Sequence, residues 1–188
     1  MPRIIKIVAG ALATCLAATT PTKASGAVLD WRSVPLPAID GGSHAAQQFL
    51  GHVVLVVNTA SRCGFTGQYQ GLQTLWRENR DRGLVVLGIP SNDFGAQEPG
   101  NSAQVQEFCQ INYGVDFPLL EKQTVVGNAA HPLYRWAAAQ TGPLGVPRWN
   151  FHKLLIGRDG RLVDWFASTT APDSERLRHA IDSALAEK

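Results

Sequence analysis

Methionine is all but missing from this chain, with Met1 the only one among 188 residues. Oxidation of methionine to its sulfoxide is a common lesion, so a product without Met1 suits an oxidant-rich workplace. Charge is sparse as well, with charged residues making up 17% and a formal net charge of +2. No basic stripe or acidic tail stands out, so composition points to no nucleic-acid partner and no membrane-surface partner. The longest apolar run, Ile7 to Ala18, is too short to cross a bilayer. Cysteine occurs only at Cys15, Cys63 and Cys109, never in CxxC spacing. That excludes a thioredoxin-type redox pair and a zinc knuckle, and nothing else in the chain calls for a metal or an organic cofactor.

What is present begins with a leader. Arg3 and Lys6 precede the apolar Ile7–Ala18 run, and small residues follow through Thr22-Lys23-Ala24-Ser25-Gly26-Ala27. This is the layout of a cleaved secretory signal over residues 1–24, with cleavage falling between Thr20 and Ala27. Lipid attachment at Cys15 is not expected, because Thr14 is large for the residue before a lipoprotein cysteine. Removal of Arg3, Lys6 and Lys23 takes away three cations and no acid, so the charge falls from +2 to about −1. The expected product is exported, periplasmic or secreted. It forms one domain over residues 28–188 and retains Cys63 and Cys109.

Periodicity outlines the domain. Val53–Val57 and Leu84–Ile89 are short, continuous and β-branched, as buried parallel strands are. Between them Tyr69, Leu72, Leu75 and Trp76 share a helical face, with Thr66 the expected N-cap and Asp81-Arg82-Gly83 the stop. Asp40-Gly41-Gly42 predicts a turn in an N-terminal hairpin. Asn101 and Gln104 predict a capping box for a helix carrying Val105, Phe108 and Cys109 on one face. His131–Gln140 predicts a helix with Leu133, Trp136 and Ala137 inward. Phe151–Ile156 and Arg161–Phe166 predict a hairpin turning at Arg158-Asp159-Gly160. A final helix spans Asp173–Ala186. This order makes the fold class α/β, a central mixed β-sheet flanked by helices on both faces.

Cys63 occupies the chemically informative position, after an apolar strand and just ahead of a helix. The positive end of the helix dipole and neighbouring Arg62 both favour the thiolate, the nucleophilic form. On spacing alone, Cys63 and Cys109 in an exported domain read equally as a structural disulfide or as redox thiols.

Four blocks carry a resemblance. Val57-Asn58-Thr59-Ala60-Ser61-Arg62-Cys63-Gly64-Phe65-Thr66 resembles the peroxidatic-cysteine block of the glutathione peroxidases. Ile89 through Gly100 is similar to their second signature loop, and Trp149-Asn150-Phe151-His152-Lys153 to their third. Phe108 through Pro118 resembles the resolving-cysteine segment of the non-selenium, thioredoxin-using branch. The resemblance runs in order from about Trp31 to the C-terminus and implies a thioredoxin-like fold. It implies a peroxidase acting on hydroperoxides, with a thioredoxin-like protein or glutathione as reductant. It makes Cys63 the peroxidatic residue and Cys109 the resolving one. It also sets Trp149 and Asn150 beside the peroxidatic sulfur, where an indole N–H and an amide can donate to a leaving oxygen.

One residue departs from the pattern. Asp93 stands where the family usually carries a catalytic glutamine, and an ionised carboxylate cannot donate. Asp93 is therefore protonated, or turned away, or replaced as donor by Gln97 or Asn92. Between the helix ending near Gln140 and Trp149 lies only a short connector, lacking the longer insertion used for subunit contact in tetrameric members. A monomer is expected.

Overall fold

The computed structural model describes residues 26–187. The expected leader, including Cys15, lies outside the described residues. Strand β1 (Val53–Thr59) is buried along its whole length, as is β2 (Leu84–Pro90). Helix α1 (Gln68–Asn79) joins them, and the two strands pair in parallel from Val53–Leu84 to Thr59–Pro90. Helices α2 (Ser102–Tyr113) and α3 (Pro132–Thr141) follow. Strands β3 (Lys153–Ile156) and β4 (Leu162–Phe166) form the hairpin, and α4 (Glu175–Ala186) closes the chain. The sheet order is β2-β1-β3-β4, with β3 antiparallel to both its neighbours.

Both faces of the sheet are covered, which is why the central strands read as continuous apolar runs. Leu55, Val57 and Val86 pack with Leu72 and Leu75 of α1, Cys109 of α2 and Ile181 of α4. Val54, Val56 and Leu87 pack on the other face with Leu133 and Ala137 of α3, Phe49 and Trp31. The two sets alternate along β1, following the two-residue period of a strand.

The mixed α/β sheet matches the expectation from sequence, and local signals account for several ends. Asn101 accepts from the Gln104 N–H at 3.0 Å while the Gln104 side chain accepts from the Asn101 N–H at 3.0 Å, completing the capping box. Gly83 stops the first helical segment at φ +96°, a conformation that favours glycine.

Other boundaries moved. Gly67, not Thr66, is the N-cap of α1, and no side chain caps it. Thr66 instead accepts from the Tyr69 N–H through its carbonyl, within a run of tight turns leading from Cys63. The N-terminal hairpin reduces to one bridge, Pro37–Ser43, around the Asp40-Gly41-Gly42 turn. Trp136 is half-buried and donates its indole N–H to the Ala27 carbonyl at 2.9 Å, rather than turning wholly inward. Strand β3 starts at Lys153 instead of Phe151, because Phe151 sits at φ +64°, which breaks the extended backbone of a strand there.

Candidate active site

β1 ends at one end of the sheet, and the turn 60–67 delivers Cys63 there ahead of α1. The thiol is buried, 5% exposed, and its sulfur accepts from the Phe65 N–H at 3.4 Å. Main-chain bonds from Thr66 to the Cys63 carbonyl and from Gln68 to the Phe65 carbonyl fix the turn. A backbone donor thus meets the sulfur before any side chain is considered.

β3 starts at the same end, because it runs antiparallel to β1, and this brings Trp149 and Asn150 to the end where Cys63 sits. Asn58 near the end of β1 ties them down. Its side-chain amide donates to the Trp149 carbonyl at 3.1 Å, and its own carbonyl accepts from the Phe151 N–H at 2.6 Å. Asn150 is fully buried and donates through Nδ2 to Gln97 Oε1 at 2.9 Å. Gln97 also accepts, through its carbonyl, from the Arg62 N–H at 3.0 Å. One loop residue therefore connects the main chain next to Cys63 with the Asn150 side chain. Trp149 is 39% exposed and packs against Phe94, with ring centroids 6.1 Å apart. It lies at the surface at that end of the sheet, not in the core.

Asp93 turns away. Its Oδ2 accepts from the Val125 N–H at 2.6 Å and the Val126 N–H at 3.2 Å. The carboxylate is committed to that loop as an acceptor, which answers how the chain tolerates it in a glutamine position.

Two groups that sequence reasoning passed over hold the site from beneath. Lys153 is fully buried and spends its three donors on Gln68 Oε1 at 2.5 Å, the Phe151 carbonyl at 2.7 Å and the Thr170 carbonyl at 2.7 Å. Burial pushes its pKa down to about 7. A lysine inside an otherwise apolar strand pattern was the signal that could have found it. Glu98 is also fully buried, and Ser61 donates to its Oε1 at 2.6 Å. Burial raises its pKa, against the opposing pull of the Ser61 hydrogen bonds, Lys122 and Arg62. Its Oε2, the Tyr69 hydroxyl and Thr59 Oγ1 are all buried without a hydrogen-bond partner. Tyr69 lies against Thr59 and Cys109, yet its hydroxyl reaches proper bonding geometry with neither.

Cys109 sits in this poorly satisfied seat, 1% exposed on the inner face of α2. Both Cys63 and Cys109 are free thiols within the same core cluster. Burial raises the Cys109 pKa to about 11, outweighing the Tyr69 contact that lowers it, with Glu98 raising it further. Near neutrality that burial keeps the thiol protonated, so it is not a nucleophile there. Cys109 in its seat is an inert thiol.

His152, next to the third block's asparagine and phenylalanine, stacks on Trp165 at 5.6 Å, and burial lowers its pKa to about 4. The unfolded chain would hold a proton at an ordinary value near 6.5. Between those values the unfolded state binds more protons, so stability falls as the pH drops from 6.5 to 4. The gap corresponds to on the order of 3 kcal/mol for full desolvation. His152→Phe should flatten the fall in urea stability between pH 6.5 and 4. Buried His131, whose pKa is also lowered, leaves a residual slope. An unchanged slope would remove His152 from the acid response.

Comparisons with known proteins bear on the family and the fold. The profile of the glutathione peroxidase family matches residues 33–138. The hydroperoxy fatty acid reductase gpx1 of Synechocystis sp. is 47% identical over 144 residues, covering 72% of this chain and 85% of that protein. The glutathione peroxidase-like peroxiredoxin gpx1 of Schizosaccharomyces pombe is 45% identical over 148 residues, covering 78% and 92%. The crystal structure of Trgpx in its apo form superposes with a TM-score of 0.67 at 36% identity, over 86% of this chain and 98% of that one. A thioredoxin-family thiol:disulfide interchange protein of Chlorobium tepidum, 16% identical, superposes with a TM-score of 0.60 and shares the fold. The four-stranded mixed sheet with its helices is thus a thioredoxin-like fold, and this chain, with Cys63 in its first signature block, belongs to the glutathione peroxidase family.

Proposed function

We propose that the chain is an exported thiol peroxidase that reduces hydrogen peroxide and organic hydroperoxides through Cys63. The observation that carries this reading is the buried Cys63 sulfur, met by the Phe65 N–H, in a loop that Gln97 links to Asn150. In the first step the Cys63 thiolate attacks the terminal peroxide oxygen. The S–O bond forms, the O–O bond breaks, and the departing alkoxide or hydroxide takes a proton. Sulfur is oxidised to the sulfenic acid and the peroxide is reduced to an alcohol or water. Trp149 and Asn150 serve as donors to the oxygen on which charge develops. Relatives named for hydroperoxy fatty acid reduction and as peroxiredoxins support the substrate class.

In the second step Cys109 attacks the Cys63 sulfenic acid, giving a disulfide and water. Bonding needs the two Cα atoms within about 7 Å, and an inert thiol inside α2 must first leave its seat. Released from the core, its pKa returns toward about 8.5 and its thiolate fraction rises. The unpaired oxygens of Glu98, Tyr69 and Thr59 lower the cost of opening, because a buried polar atom without a partner is costly in the closed state. A thioredoxin-like dithiol then reduces the disulfide. Glutathione is the less suited donor, since an internal resolving thiol makes a second small thiol unnecessary. Steady-state peroxide consumption tests the reading, with turnover expected under a thioredoxin system and little under glutathione. Absence of turnover with every thiol donor would overturn it.

Export and assembly belong to the same proposal. N-terminal sequencing of the native product should begin between about Pro21 and Val28, the small-residue zone of a cleavage region. Recovery of intact Met1 would contradict export. The connector from α3 to Trp149 holds only a turn of 3₁₀ helix, Gly142–Leu144, and is too small for an interface of roughly 800 Å² per partner. Light scattering at micromolar concentration should report a monomer, and a dimer or tetramer would contradict this use of the connector.

A further inference from the structure

Asp93 leaves the loop between β2 and α2 without an amide donor at that position, its carboxylate being held by the Val125 and Val126 N–H groups. Asn92 is committed too. Its Oδ1 accepts from the Glu98 N–H at 2.8 Å and closes the loop on itself. Gln97 differs from both. Its main-chain carbonyl takes the Arg62 N–H at 3.0 Å, one residue before Cys63, and its Oε1 takes Asn150 Nδ2 at 2.9 Å. The amide is thus held by its oxygen, and a carboxamide has two further donors on its nitrogen. Among the described residues no acceptor takes them.

The backbone is bent to bring this residue there. Gly95 and Ala96 both adopt left-handed conformations, at φ +64° and +52°. Ala96 does so at a steric cost, since a Cβ disfavours that region. A non-glycine residue persists there when surrounding contacts over-determine it, and such residues gather at functional sites. Here those contacts are the two bonds that follow, from Arg62 and from Asn150. Gly95 leaves a gap on the same side. A methyl group at Gly95 would meet both Gln97 Nε2 and the Trp149 ring, at 3.7 Å each. The uncommitted amide nitrogen and the indole of Trp149 therefore flank one open spot. Gln97 is half-buried there, whereas its partner Asn150 is fully buried.

We infer that Gln97 is the catalytic amide donor of this chain, its Nε2–H binding the departing oxygen of the peroxide while Asn150 fixes the amide by its oxygen. The inference rests on the peroxidase reading above and adds to it a residue and a role. As the Cys63 thiolate forms the S–O bond and the O–O bond breaks, negative charge gathers on the leaving oxygen. The carboxamide donates a hydrogen bond to that oxygen and stays neutral. Water supplies the proton that completes the alcohol or water product. A carboxylate at position 93 is tolerated because the donor comes from further along the same loop.

Two substitutions separate donation from positioning. Gln97→Glu keeps an oxygen for Asn150 Nδ2 and removes the donor, while Gln97→Met removes the donor and keeps the site neutral. Oxidation of Cys63 by hydrogen peroxide is followed in a single turnover, by mass spectrometry of quenched samples. It should slow about a hundredfold in each variant, the order of loss for one oxyanion donor. Alkylation of Cys63 by iodoacetamide expels iodide, which needs no hydrogen-bond donor, so in Gln97→Met it should stay close to the wild-type rate. Urea unfolding checks that each variant is folded, and either one suffices for the peroxide measurement. A wild-type peroxide rate in a folded variant overturns the assignment, as does an equal loss of peroxide and iodoacetamide reactivity in Gln97→Met. A wild-type Cys63 that hydrogen peroxide leaves unoxidised would overturn the peroxidase reading, and this assignment with it.

Discussion

Cys63→Ser is expected to abolish hydroperoxide reduction, lowering turnover by at least about a thousandfold, as losses of a covalent nucleophile do. Serine keeps the shape of the side chain and can still accept from the Phe65 N–H. What it lacks is an accessible anion near neutral pH, and the thiolate is the form that attacks. Because the turn from Cys63 to Gln68 is closed by main-chain bonds, the substitution leaves the local fold in place. Loss of activity with an unchanged unfolding profile would therefore report chemistry rather than collapse. Retention of most turnover would remove Cys63 from the mechanism.

The second large effect separates the two halves of the cycle. Cys109→Ser should react once with peroxide at the wild-type rate, yet fail to cycle with thioredoxin. Cys63 should then accumulate as sulfenic and further oxidised forms. The attacking sulfur is untouched, and the residue changed lies in α2 against Tyr69. Serine buries a hydroxyl in a seat that already holds unpaired oxygens, so Cys109→Ala is the control for stability. Both variants should stall after one turnover, although their stabilities differ. An unchanged thioredoxin-supported rate in either would make Cys109 a core residue and nothing more.

Local signals in the sequence read well, and distant partnerships did not. The strands β1 and β2, the Asn101–Gln104 capping box and the closing helix each depend on residues within one element, so apolar runs and spacing reveal them. Gly67 replaced Thr66 as N-cap because tight turns carry the chain from Cys63 into α1 and occupy the Thr66 carbonyl. The orientation of Asp93 was open because its partners, Val125 and Val126, lie far along the chain. The same holds for Gln97, whose role appears only when β3 brings Asn150 to it. Lys153 lies within the third block, but its three acceptors come from α1, its own loop and the segment before α4. A side chain that gathers elements from across the fold leaves only a weak mark on its sequence neighbours.

The central claim is that Cys63 and Cys109, separate in the resting fold, become joined once peroxide has oxidised Cys63. Mass spectrometry of non-reduced peptides tests it most directly, after one equivalent of hydrogen peroxide is added to the fully reduced protein and free thiols are alkylated. The account predicts a Cys63–Cys109 cross-linked peptide that disappears on reduction by thioredoxin. An oxidised Cys63 peptide beside a fully alkylated Cys109 peptide would contradict it.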